Sequence, residues 1–236
     1  MSYLLEANEV HTYIQGFHIL QGVSLKVLRE GVTVLLGRNG AGKTTTLRSI
    51  LGFHVPQKGK IVFDDKPING LTPYQIGRLG IGYVPEDRGI FSGLTVYENL
   101  KVAARDGLRE MEQRLEQIFD LFPDLKRARK QQAGTLSGGQ QQMLALARPL
   151  VSKNKLLIID EPSSGLAPIV VDRVAEAIVE LKKETPILLV EQNYNMARNI
   201  SDQYYIIDQG SCVHEGNMDD LEKQPELKQR YLGVAV

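Results

Sequence analysis

Along the chain, short unbroken apolar runs alternate with stretches whose apolar residues recur every three or four positions, the rhythm of strands alternating with helices. The runs Val32–Leu36, Ile81–Val84, Leu156–Asp160 and 187–190 each end in turn chemistry, at Gly37, Pro85, Glu161-Pro162 and Glu191. Their continuous apolar character predicts strands covered on both faces in an α/β fold with a largely parallel sheet. Residues 4–10 and 23–28 instead alternate polar and apolar, which predicts antiparallel strands in a small β-subdomain leaning on that core. From about residue 95 to 151 the pattern is helical, carried by Val96, Leu100, Val102 and Ala103, then by Met111, Leu115, Ile118, Phe119, Leu121 and Phe122. Pro123-Asp124 and Gly134-Thr135 break this stretch, and Pro149 falls where a helix after Ser137 should end or kink. No internal repeat and no low-complexity tract interrupts the pattern.

With 236 residues the chain can bury a substantial core, and 42% hydrophobic against 24% charged residues is a globular composition. Twenty-eight basic residues balance 28 acidic ones, so the global positive field that drives non-specific nucleic-acid binding is missing and no nucleic-acid partner is expected. The one cysteine, Cys212, excludes an intrachain disulfide framework and fits a reducing compartment. His11, His18, His54 and His214 lack metal-ligand spacing, so a metal held by protein side chains alone is not expected. The opening MSYLLEANEV has neither a cationic segment nor an apolar one, and no later run reaches the ~18 apolar residues of a membrane span. These features predict a cytoplasmic protein that can still dock on a membrane protein.

The strongest chemical signal is Gly37-Arg38-Asn39-Gly40-Ala41-Gly42-Lys43-Thr44-Thr45, a G-x-x-x-x-G-K-[ST] string that follows a predicted strand and opens a helix. Its glycines let backbone N–H groups curl round a phosphate, and the helix N-terminus adds the positive end of its dipole. Lys43 is placed to reach β- and γ-phosphates, and the Thr44 hydroxyl to take a magnesium position. The strand Leu156–Asp160 then delivers Asp160 and Glu161 to the edge where α/β sheets bind ligands. Neighbouring strand side chains point opposite ways, so the two acids share one site only across a bend, which Pro162 helps supply. Asp160 would hold magnesium through water, and Glu161 would act as general base on the attacking water. Kinases, GTPases and recombinase-like ATPases all remain compatible at this point. The segment Leu136-Ser137-Gly138-Gly139-Gln140 narrows the choice, because it sets a hydroxyl and two glycine amides at a second predicted helix start. One γ-phosphate has no need of both helix starts from a single molecule, so a site shared by two chains is the economical reading.

Together these strings resemble the ATP-binding cassette ATPases over residues 4–233. The resemblance implies a P-loop NTPase, RecA-like core with a mainly parallel sheet, an N-terminal antiparallel β-subdomain and an α-helical insertion carrying LSGGQ. It divides a single domain into core and β-subdomain at about 1–94 and 152–236 and a helical part at about 95–151. Tyr13 matches the aromatic that stacks on adenine, and Ser137, Gly138, Gly139 and Gln140 match the signature that closes on ATP held by the other cassette. Glu86 matches a position usually filled by glutamine, which touches magnesium and the attacking water. Ser164-Gly165-Leu166-Ala167 matches the dimer-contact loop, and Gln192 matches the switch residue, usually histidine. Glu86, Ala167 and Gln192 therefore depart from the general pattern.

The strings VPEDRGIFSGLTVYENL, DEPSSGLAPI and LLVEQN are similar to those of one subgroup, the second ATP-binding subunit of branched-chain and hydrophobic amino acid importers. This implies ATP hydrolysis with Mg2+, a second cassette subunit, two membrane permease subunits and an external solute-binding protein. A heterodimer is the expected pairing, with a homodimer left open, and the expected place is the cytoplasmic face of the membrane. Urea or short-amide import and lipid or lipopolysaccharide export remain alternatives. DNA-repair and chromosome machines are disfavoured, because no long heptad coiled coil follows the phosphate loop. The apolar Ile90, Phe91 and Leu94, set among small residues, mark residues 86–97 as a docking lip for the membrane subunits.

Overall fold

The computed structural model describes residues 3–105 and 107–233. Strands β1 (Tyr3–Ile14) and β2 (Phe17–Leu28) form an antiparallel hairpin. Both run well past the alternating residues that predict them, because Gln15 and Gly16 take φ of 50° and 85°, the left-handed pair that matches a two-residue turn to strand twist. Strand β4 (Lys58–Phe63) adds to the free edge of β1, and the two-residue β5 (Lys66–Pro67) completes a sheet ordered β2-β1-β4-β5.

The second sheet has six strands in the order β10-β9-β3-β8-β7-β6, from β3 (Val32–Leu36), β6 (Ile81–Val84), β7 (Leu156–Asp160), β8 (Ile187–Glu191), β9 (Gln203–Asp208) and β10 (Ser211–Asn217). Every pairing in it is parallel except that of β9 with the edge strand β10. Alternate residues feed two separate cores, which is why these strands read as unbroken apolar runs. Val34, Leu36, Leu157, Ile159 and Leu189 pack on one face, among residues of the surrounding helices. Leu35, Ile158, Leu188 and Val190 pack on the other, against the first sheet and helix α1 (Lys43–Ile50). The antiparallel sheet thus roofs one face of the parallel one.

After α2 (Pro73–Arg78) and β6, the chain makes α3 (Val96–Ala103), α4 (Leu108–Leu121), α5 (Pro123–Arg127) and α6 (Gly138–Leu150). Helices α7 (Pro168–Leu181) and α8 (Tyr194–Ile200) flank β8, and α9 (Met218–Glu222) follows β10. Thr95 with Glu98 and Ser137 with Gln140 form reciprocal capping boxes that fix where α3 and α6 begin. Pro123 starts α5, Ala133–Thr135 is a 3₁₀ turn, and Pro149 lies in the last turn of α6. Among the described residues no helix is long and apolar enough to cross a membrane.

Val102, one of the residues that carry the helical pattern, lies in α3 but is 58% exposed. The buried face of α3 runs through Val96, Asn99 and Leu100, so the polar Asn99 fills the position the apolar pattern skipped. It is accommodated by hydrogen bonds, since its Oδ1 accepts from Phe91 N (2.8 Å) and its Nδ2 donates to Phe91 O (2.9 Å), Thr95 O (3.0 Å) and Leu94 O (3.3 Å). Asn99 therefore staples the 91–95 loop onto the helix. Replacing it with Ala leaves several buried backbone groups unpaired, and denaturant unfolding of Asn99→Ala is expected to show a loss of about 2–4 kcal/mol. A loss below about 0.5 kcal/mol would mean that water satisfies the loop just as well.

Candidate functional site

Four parallel strands end side by side, and their following loops carry nearly all the candidate chemistry. From β3 the chain enters the 37–42 loop, with Arg38, Asn39 and Gly40 exposed at its tip and Thr44 and Thr45 half-buried beyond it. Gly42 has φ of 114° where it caps α1, a backbone state closed to residues with a side chain. Lys43 is 4% exposed. Its Nζ donates to Gly37 O (2.9 Å) and Arg38 O (3.2 Å) and pairs with Glu161 Oε1 at 3.1 Å, so each of its three protons has an acceptor.

Asp160, 1% exposed, ends β7, and Glu161 stands half-buried beside it. The bend that brings both acids to one site lies in Glu161 itself, whose φ is 45°, rather than in Pro162. Glu161 N still donates to Val190 O at 2.9 Å, which holds this costly left-handed conformation in place. Burial, reinforced by the negative charges of Glu161 and Glu86, pushes the Asp160 carboxyl up to about 6, against the opposing pull of Lys43 and Thr44. The hydroxyls of Thr44 and Tyr83 donate to Asp160 Oδ1 and Oδ2, each at 3.5 Å. Among the described residues, no three or more His, Cys, Asp or Glu side chains converge on a metal position. One hydroxyl, one carboxylate and a local excess of negative charge suit a small hard cation that completes its shell with water and phosphate oxygens, and do not suit zinc.

Lys43, Thr44, Asp160 and Glu161 are thus brought together. Glu86 is exposed at the end of β6, where its charge acts on Asp160, and Gln192 is exposed just past β8. Tyr13 is 42% exposed in β1 and stacks flat on His18, with ring centroids 4.2 Å apart and His11 behind. Ser137 and Gly138 are exposed at the start of α6, with Gly139 and Gln140 half-buried. Ser137 Oγ accepts from Gln140 N while Gln140 Oε1 accepts from Ser137 N. Among the described residues, no hydrogen bond or ion pair links Ser137–Gln140 to the 37–45 segment. Ser164, Gly165 and Ala167 are exposed on the turn after β7.

Other residues fasten the loops around the site. Arg88 Nη1 donates to Gln141 Oε1 at 2.8 Å, and Arg148 donates to Gly89 O while lying 5.0 Å over the Phe91 ring, so two arginines tie the 86–91 loop to α6. Glu191, 1% exposed, accepts hydrogen bonds from the backbones of Ser163, Gln192 and Asn193. Burial raises its carboxyl, and those three N–H groups together with the Ser163 side chain pull the other way. An acid closing an apolar strand is the signal that marks Asp160, and it could have singled out Glu191 as well.

The raised Asp160 carboxyl makes the fold bind a proton that the unfolded chain, with its carboxyl near 3.8, gives up. Unfolding free energy therefore falls as pH rises through about 4 to 6 and stays lowered above that window. In metal-free buffer at pH 8, Asp160→Asn is expected to be more stable than the native chain by roughly 1–3 kcal/mol and to flatten this dependence, as followed by thermal melts across pH. A less stable Asn variant at pH 8 would contradict the electrostatic reading.

The sequence model described as "ABC transporter" matches residues 20–164. The high-affinity branched-chain amino acid transport ATP-binding protein BraG of Pseudomonas aeruginosa is 39% identical over 98% of this chain and 100% of its own length. A probable branched-chain amino acid transport ATP-binding protein, LivF of Archaeoglobus fulgidus, is 35% identical over 98% of this chain and 99% of its own. A crystal structure of the ADP conformation of an ATP-binding cassette superposes with a TM-score of 0.86 at 26% identity, covering 97% of this chain and 98% of that one. On this evidence of sequence, coverage and fold, the chain belongs to the ABC transporter family, among its ATP-binding, ATP-hydrolysing subunits.

Proposed function

We propose that the chain energises import of branched-chain amino acids, hydrolysing ATP from the cytoplasmic face of the membrane beside a second cassette and two permease subunits. The observation that carries this reading is the Lys43–Glu161 ion pair beside the buried Asp160 at the root of the phosphate loop, in a chain whose full-length relatives carry branched-chain transport names. Those names favour amino acids over amides or lipids. Residues 1–94 and 152–236 serve as nucleotide-binding core with the β-subdomain, and residues 95–151 as the helical part that presents the signature.

In this reading the backbone N–H groups of residues 37–45 receive the phosphates, and Lys43 exchanges its pair with Glu161 for phosphate oxygens. The exchange frees the Glu161 carboxylate to accept a proton from the attacking water, while Glu86 and Gln192 orient that water and the γ-phosphate. Gln192 donates an amide hydrogen where histidine would bring an imidazolium charge, so it stabilises developing charge less. Thr44, Asp160 and Glu86 would hold magnesium, which would supply positive charge to neutralise the phosphates. Tyr13 stacks on the adenine, and Ser137–Gln140 of the other cassette close the site from the far side. The altered Gln192 and Ala167 fit a heterodimer with two unlike sites.

For the permeases, a cleft of about 350 Å³ lies beside the 86–91 loop, lined by Phe53, Pro73, Tyr83, Arg88, Arg148 and others. Phe53 is 54% and Phe91 47% exposed, which offers an apolar landing. The other large apolar residues of the lip, Ile90, Leu94, Val96 and Tyr97, are half-buried or buried. Tyr97 donates to Glu112 with Arg129 over its ring.

Lys43→Ala is expected to weaken MgATP binding at least about tenfold, whereas Glu161→Gln keeps the affinity and lowers turnover by about 10²-fold or more. In cells lacking the native gene, uptake of labelled leucine should return with the native chain and with neither variant. Native turnover in Glu161→Gln would remove Glu161 as the base, and uptake unaffected by loss of the gene would remove the substrate assignment.

A further inference from the structure

Strand β8 places a carboxylate where its neighbours are Val190 and Leu189, both fully buried. A buried charge is costly unless it is fully hydrogen-bonded, so a strand end that needed only packing would be better served by an apolar residue. Glu191 spends both oxygens on backbone from two different loops. Its Oε1 accepts from Ser163 N at 3.0 Å, on the turn that follows Glu161, and its Oε2 accepts from Gln192 N and Asn193 N, each at 2.9 Å. Asn193 in turn caps α8, its Oδ1 accepting from Met196 N at 3.1 Å. Gln192 therefore hangs between a backbone pinned by Glu191 and a helix start pinned by Asn193.

We propose that Glu191 is a positioning residue for hydrolysis, holding the Glu161–Ser163 turn and the Gln192 backbone at one spacing so that displacement of the 164–167 loop is passed to Gln192. The proposal rests on the roles given above to Glu161 and Gln192. Glu191 touches no reacting atom and works through the two loops it joins. A glutamine cannot replace it, because its amide offers one acceptor oxygen and turns N–H groups toward a backbone donor. An aspartate keeps both oxygens on an arm one methylene too short to span both loops.

The test uses the full-length chain with Glu191→Gln, Glu191→Asp, Gln192→Ala and the Glu191→Gln/Gln192→Ala double variant. Readouts are kcat and KM for MgATP, the affinity for a fluorescent methylanthraniloyl ATP analogue, and the thermal midpoint. Both Glu191 variants are expected to lower kcat about ten- to hundredfold while KM and analogue affinity stay within about threefold. The double variant should be no slower than the slower of its two parents, because both changes disable one device. Should Glu191→Gln fail to fold, Glu191→Asp carries the same split between kcat and KM. Native kcat in either folded Glu191 variant overturns the proposal, as do losses that multiply in the double variant or a parallel collapse of kcat, affinity and thermal midpoint. Native kcat in Gln192→Ala fails the reading of Gln192 itself and takes the proposal with it. A slow Gln192→Ala beside a fully active Glu191→Gln fails the proposal alone.

Discussion

Parallel, in-register pairing of β3, β8, β7 and β6 is the constraint on which the site depends. Leu36 lies opposite Glu191, Val190 opposite Asp160, and Ile159 opposite Val84, so four strand ends form a single row. The phosphate loop, the Glu191-Gln192 turn, the Asp160-Glu161 pair and Glu86 follow from that row without long-range searching. A one-residue slip of any of these strands would turn its apolar residues to the wrong core and carry its loop out of line. Packing on both faces of the sheet thus fixes the geometry of the candidate site as a consequence of fixing the fold.

Along that row the chain keeps charged groups out of water, and the arrangement is stable because each is answered. Lys43 is met by two carbonyls and Glu161, and Glu191 by three backbone N–H groups. Asp160 is answered least, by two hydroxyls at 3.5 Å, and its carboxyl is the one displaced to about 6. Satisfaction along the row is unequal: Asp160 carries the least-compensated charge, while Glu161 is held by Lys43. The two arginines that fasten the 86–91 loop to α6 give the cleft beside that loop a direct mechanical tie to the signature helix.

Much of this is legible in the sequence because it is local. Apolar runs mark the core strands, G-x-x-x-x-G-K-T marks a loop whose conformation its glycines dictate, and S-x-x-Q marks the capped start of α6. Less is legible where a residue's meaning depends on distant partners. The alternation in residues 4–10 and 23–28 shows strands but not the Gln15-Gly16 turn that lengthens both, nor the β4 edge that joins β1. Asn99 reads as a polar interruption of a helix until its loop partners are known, and the apolar spacing alone does not show that Val102 faces outward. The contacts of Arg88, Gln141 and Arg148 cannot be read from the sequence because they join segments about fifty residues or more apart in the chain. Glu191 could have been found, since its strand ends on an acid just as β7 does.

If this chain holds ATP by its own phosphate loop and lends Ser137–Gln140 to another cassette, as proposed, the nucleotide affinity of monomeric Ser137→Arg separates the two roles. That monomer is expected to keep native ATP affinity while losing ATP-driven dimerisation and turnover, because Ser137 would meet only nucleotide held by the other chain. An affinity loss in the monomer as large as that of Lys43→Ala would instead place Ser137 in the chain's own site.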